Sequence, residues 1–170
     1  MAISVSPYYG CYRLSGDRMK HAGKSRAPML LIHGGVLISG NELAETRENL
    51  EELAAILARV GPKLAAGASA LDVTQLAVEY MENSARFNAG LGSSLQRDGS
   101  ARLSASIMNG ERQRFSASNL VTSVIHPSKL ARALQDRDEH VLGPLGSQML
   151  ARELAMPCEN TVTVNQARRW

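Results

Sequence analysis

Met29-Leu30-Leu31-Ile32-His33-Gly34-Gly35-Val36-Leu37-Ile38-Ser39-Gly40 is the stretch on which the reading of this chain turns. Four apolar residues follow Pro28 and stop at a glycine pair, the pattern of a short strand buried on both faces. A buried strand that gives way to a helix points to an α/β arrangement. The helix is written in Leu43, Leu50, Leu53, Leu57, Val60 and Leu64, which recur as one stripe. Pro62 falls inside that stripe and is expected to kink or split the helix, because it lacks an N–H and its ring meets the preceding turn. Gly67 ends the segment. Ser69, with Asp72 three positions on, resembles a capping box that opens a second helix bearing Val73, Leu76, Ala77 and Tyr80.

Further along, Asp98-Gly99 predicts a hairpin turn between strands 93–97 and 101–108. In the second strand Leu103, Ala105 and Ile107 alternate with Ser104, Ser106 and Met108. A turn at Asn109-Gly110 leads to a strand through Leu120, Val121 and Val124. Pro127 and Ser128 open a short helix over 129–135, and another helix covers 145–155. Residues 1–27 read as an irregular basic arm, 28–156 as the folded body and 157–170 as a C-terminal tail.

The chain has 170 residues, 44% of them apolar, which suits one domain able to bury roughly 70% of its unfolded surface. That apolar share excludes general disorder, and the size excludes a disulfide-stapled mini-protein. Cys11 and Cys158 form no C-x-x-C pair and read as free thiols. The net charge of +3 is unevenly spread: residues 1–30 hold five bases and one acid, residues 31–85 three bases and eight acids. The bases sit on no single element, and aromatics make up only 4%, so no nucleic-acid surface is expected. No apolar run approaches the ~20 residues a membrane span needs, and the first 26 residues lack a secretory h-region, which together suggest a cytoplasmic protein without a membrane contact. His21, His33, His126 and His140 stand at no metal-ligand spacing.

Three chemistries compete for the glycine-rich stretch. Gly35 and Gly40 have the spacing of a phosphate loop, but Asn41 and Glu42 replace the lysine and hydroxyl, and a carboxylate repels phosphate. A His-Gly-Gly oxyanion loop would need a serine on a G-x-S-x-G turn, and none of the fourteen glycines brackets a serine that way.

The third reading is a family resemblance. Ile32-His33-Gly34-Gly35, Gly67-x-Ser69-Ala70-Leu71-Asp72, Phe87-Asn88-Ala89-Gly90-x-Gly92, Asp98-Gly99, Ala105-Ser106-Ile107-Met108-x-Gly110 and His126-Pro127 with Leu130-Ala131-Arg132 follow in fixed order. The chain thus resembles the plant-type L-asparaginase and isoaspartyl aminopeptidase family of N-terminal nucleophile (Ntn) hydrolases. The resemblance implies a four-layer αββα sandwich of which this chain forms about half. It implies autoproteolysis of a precursor, an α subunit ending in a linker, and a β subunit whose first residue is a threonine nucleophile. An α-amine with an unperturbed pKa of about 7.7–8 can be neutral near pH 7 and take the proton of its own hydroxyl. No glycine here precedes a threonine, so Thr46, Thr74, Thr122, Thr161 and Thr163 are poor nucleophile candidates and the chain reads as the α subunit alone.

By the same resemblance, Asn88 supports catalysis through its amide, and Gly34 and Gly35 line the substrate pocket with backbone. Main-chain carbonyls of Met81, Glu82, Ser84, Phe87, Ala89 and Leu91 would hold a structural sodium ion, with no cofactor needed for catalysis. The implied assembly is an (αβ)2 heterotetramer acting on a β-aspartyl dipeptide or asparagine through a covalent acyl-enzyme. Alternatives are a glycosylasparaginase-like relative and a degenerate, non-catalytic binding subunit. For Asn88 a purely local role in the loop, and for Gly34-Gly35 an ordinary strand-ending turn, stay open.

Overall fold

The computed structural model describes residues 2–5, 12–15, 28–35 and 42–170. Cys11 and the Val36-Leu37-Ile38 stretch lie outside the described residues. The chain divides into two compact units, Met1–Ala77 and Val78–Trp170.

In the first unit, β1 (Ala2–Val5) and β2 (Tyr12–Ser15) pair antiparallel within the stretch expected to be an irregular arm. Residues 28–35 are assigned to no strand, which corrects the expected strand. Leu30 and Ile32 are buried while Met29 and Leu31 are more than half exposed, so the segment is covered on one side only. Helix α1 (Glu42–Ala65) continues through Pro62, in its last turn, and is not split there. There Gly67, at φ +92°, donates to the Leu64 carbonyl and Ala68 to that of Lys63, a Schellman ending that only a left-handed residue completes. Leu53, Ile56, Leu57 and Val60 form the buried stripe. Helix α2 (Ala70–Glu82) starts as predicted, with the Asp72 N–H donating to Ser69 Oγ at 3.1 Å.

The second unit is built on a three-stranded sheet. Strand β3 (Leu103–Asn109) pairs antiparallel with β4 (Arg114–Val121), and β5 (Val141–Leu142) runs parallel to β4. Between β4 and β5 the chain forms α3 (Pro127–Ala133) and a 3₁₀ turn at Leu134–Asp136. Helix α4 (Pro144–Glu153) and the short α5 (Val164–Arg169) complete it. The expected 93–97 strand and its hairpin at Asp98-Gly99 do not form. Instead Gly99 donates to the Gln96 carbonyl and Gln96 to that of Ser100, closing a turn fixed by Asp98, which accepts from Ser100 and Arg102. The hairpin forms one loop later, where the Asn109 side chain accepts from Arg112 N. Register shifts between Leu103 and Ala105, and Leu120 takes φ +54° at the extra residue of β4, the mark of a bulge.

One face of the sheet is closed. Leu103, Val121 and Val124 meet Leu130 and Leu134 from α3 and its 3₁₀ turn and Leu150 and Ala151 from α4. Buried polar groups tie the same face: Ser116 Oγ donates to the Ala131 carbonyl at 2.6 Å, and Gln135 Nε2 donates to Ser116 Oγ and the Arg114 carbonyl. The opposite face carries Ser104, Ser106 and Met108, with Phe115 across from Met108. Met108 is 51% exposed and Phe115 49%, so this face is open. The fold is therefore of mixed α/β class, with helices on one side of its sheet.

Truncating Leu130, which has no exposure, removes the centre of the cluster. Leu130→Ala is expected to lower stability by about 2–5 kcal/mol in urea melts, whereas Leu145→Ser at an exposed position of α4 changes it by less than about 0.5 kcal/mol.

Candidate functional site

The loop that follows α2 holds most of the residues singled out in the sequence. Met81, Glu82, Ser84, Phe87, Asn88, Ala89 and Leu91 lie on one continuous segment that closes in a 3₁₀ turn at Gly90–Gly92. Two glycines make this path possible. A Cβ at Gly90 (φ +52°) would fall 2.0 Å from the Glu82 carbonyl oxygen, and one at Gly92 would fall 2.0 Å from that of Phe87. Any side chain there would force the loop open, which gives the Phe-Asn-Ala-Gly-x-Gly block its physical cause. Phe87 is buried and anchors the segment.

Carbonyl oxygens are the functional groups this loop offers. Those of Met81, Phe87 and Ala89 each accept one turn hydrogen bond, from Ser84, Ala89 and Gly92, and each keeps a second lone pair. The glycine contacts draw the Glu82 and Phe87 carbonyls against the same short turn. Among the described residues no group of three or more His, Cys, Asp or Glu side chains could hold a metal. A hard cation bound here would rely on main-chain oxygens, and the donor set suits one.

Asn88 is exposed, and its Oδ1 accepts from Ser94 N at 2.9 Å. Its carbonyl end thus stabilises the loop locally, while the amide NH2 remains for another partner. Gly34 and Gly35 belong to the first unit; Gly35 is at φ +92° and its N–H donates to His33 Nδ1 at 3.3 Å. His33 therefore serves a local turn.

A buried carboxylate was not anticipated from the sequence. Glu82 is 1% exposed. Its Oε1 accepts from Ser128 N at 3.1 Å, its Oε2 accepts from Ser128 Oγ at 2.7 Å, and His126 Nδ1 lies 3.1 Å from the same oxygen. Burial pushes the Glu82 carboxyl above its ordinary value, and the hydrogen bonds from Ser128 and His126 pull it part of the way back. The contact hooks the end of α2 onto the start of α3, so the 82–92 loop is held by the same helix that closes the sheet. One sequence signal was available: α2 has no basic residue in its last turn and ends on Glu82, the wrong charge for a helix C-terminus unless a partner takes it. His126-Pro127 is that partner's position.

Comparisons with known proteins give the family of the chain. The sequence profile of the family described as asparaginase matches residues 26–170. The chain is 40% identical over 145 residues to a protein named isoaspartyl peptidase/L-asparaginase from Synechocystis, covering 84% of this chain and 43% of that one. A Nostoc protein of the same name is 38% identical over 143 residues, 84% of this chain and 45% of its own length. The mouse protein of that name is 35% identical over 131 residues, 76% of this chain and 40% of its own. The chain belongs to this asparaginase family, and it spans less than half the length of these relatives. Among the described residues no helix is long and apolar enough to cross a membrane.

Ser128→Ala leaves the buried Glu82 carboxylate short of a donor and is expected to lower stability by about 1–3 kcal/mol, read from urea melts. The Arg102 and Ser100 groups hold the Asp98 carboxyl well below the usual carboxylate range. A depressed folded-state value means the contribution exists above the unfolded carboxyl range and is lost as pH falls through the folded one. The melting-temperature gap between the parent and Asp98→Asn is expected to be level near neutral pH and to shrink in strong acid.

Proposed function

We propose that this chain is the α subunit of an amidohydrolase whose threonine nucleophile stands at the start of a β subunit cut from the same precursor. The observation that carries this reading is the match of residues 26–170 to the asparaginase family, together with the likeness to proteins named isoaspartyl peptidase/L-asparaginase, of which the chain spans less than half. The open sheet face at Met108 and Phe115 supports it, because a second sheet laid there would complete an αββα sandwich. Two αβ units would then pair as (αβ)2, in the cytoplasm.

The substrate is a β-aspartyl dipeptide, with L-asparagine as a smaller alternative. The threonine hydroxyl attacks the side-chain amide carbon while its own α-amine takes the proton, giving a tetrahedral oxyanion. The C–N bond then breaks, the leaving amine receives that proton, and an ester joins aspartate to the enzyme. Water attacks the ester and returns the hydroxyl. This chain's part is to shape and orient: backbone at Gly34 and Gly35 borders the pocket, and the Asn88 amide offers a donor toward the nucleophile or the substrate carbonyl. The carbonyls of Met81, Glu82, Ser84, Phe87, Ala89 and Leu91 would hold a sodium ion. That ion supplies no chemistry beyond bracing the loop that carries Asn88.

Expression of the full-length polypeptide tests this. It is expected to yield two fragments, the second beginning with threonine, and a kcat/KM that favours β-aspartyl dipeptides over asparagine. Preference for a glycosylated asparagine would transfer the protein to the glycosylasparaginase-like alternative, and an uncut, inactive product to a binding role. Asn88→Ala is expected to lower kcat about 100–1,000-fold, the range spanned by loss of one amide donor at a reacting centre.

A further inference from the structure

We infer that α5 is a strap whose Gln166 and Trp170 set the position of the Asn88 amide, which makes both of them positioning residues for the site. The inference rests on the proposed function only for what Asn88 does, not for how it is held.

Gln166 and Trp170 are four residues apart and face the same way along α5. Gln166 Nε2 donates to the Gly92 carbonyl at 2.6 Å, and Trp170 Nε1 donates to the Gln96 carbonyl at 2.8 Å. Both bonds cross 74 residues of sequence and end on main-chain oxygens, so they fix the path of the backbone rather than any one side chain. The indole also lies against Gly99, where a Cβ would meet the ring at 3.4 Å. Ser94 sits midway between the two anchored carbonyls, and it is the Ser94 N–H that holds Asn88 Oδ1 at 2.9 Å. The amide of Asn88 is thereby oriented from a point that α5 pins on either side.

Both ends of this connection are themselves fixed. Thr163 caps α5 by accepting from Gln166 N, and Thr161 just before it is buried. The 96–100 turn is closed by its own backbone bonds and by the Asp98–Arg102 pair. Glu82 and Ser128 hold the loop at its start, and the strap holds it at its end.

Amide hydrogen exchange in the full-length protein, resolved at Ser94, tests the strap. Gln166→Ala with Trp170→Phe, which removes the indole N–H and keeps a ring, is expected to speed exchange at Ser94 about tenfold while melting temperature changes little. Unchanged exchange at Ser94 would overturn the strap. The positioning role is read from a kinetic cycle on a β-aspartyl dipeptide. Gln166→Ala is expected to lower kcat more than it raises KM, and to have no further effect in the Asn88→Ala background. Equal effects in both backgrounds would overturn the positioning role. An inactive parent protein would sink the proposed function and leave the exchange measurement to decide the strap.

Discussion

Helix α3 is the point to which the rest of the second unit is fastened. On one side its Leu130 and the following Leu134 fill the space under β3 and β4, and Ser116 and Gln135 lock the register of the contact with buried hydrogen bonds. On the other, Ser128 and His126 at its start take the buried carboxylate of Glu82. Two consequences follow from one short helix. The sheet acquires a closed face and an open one, and the loop after α2 acquires a fixed origin. A buried carboxylate left without donors would be costly enough to forbid this arrangement, so the serine is as much part of the loop as any residue within it.

The loop itself works through its backbone. Close approach at Gly90 and Gly92, not the identity of the exposed side chains, dictates where the carbonyl oxygens point. Asn88 is the exception, because its side chain spans to Ser94 and so couples the loop to the 93–100 segment.

Much of this was legible in the sequence where the cause is local. Ser69 capping α2, Gly67 ending α1, the alternation of β3 and the Pro127 opening of α3 all depend on neighbours within a few residues, and each was found. The failures have several causes. Asp98-Gly99 carries the composition of a hairpin, but Asp98 is engaged by Arg102 and Ser100, and Gln96 is taken by Trp170 from the far end of the chain. Pro62 carried a helix-breaking signal, yet α1 continues past it to Ala65. The two-residue strand β5 has too little sequence to show a period, and it exists because β4 offers it an edge. Of the site, the Phe87–Gly92 block was legible as a motif, whereas the roles of Glu82, Ser128, Gln166 and Trp170 depend on tertiary contacts that spacing does not encode.

The central claim is that the open sheet face is completed by a second segment bearing the nucleophile. Oxidative footprinting of the full-length protein at Met108 and Phe115 tests it most directly, since both side chains stand about half open in this chain. The account predicts that both are protected there and become reactive only on unfolding. Oxidation of Met108 in the native full-length protein at the rate of an unfolded peptide would contradict it.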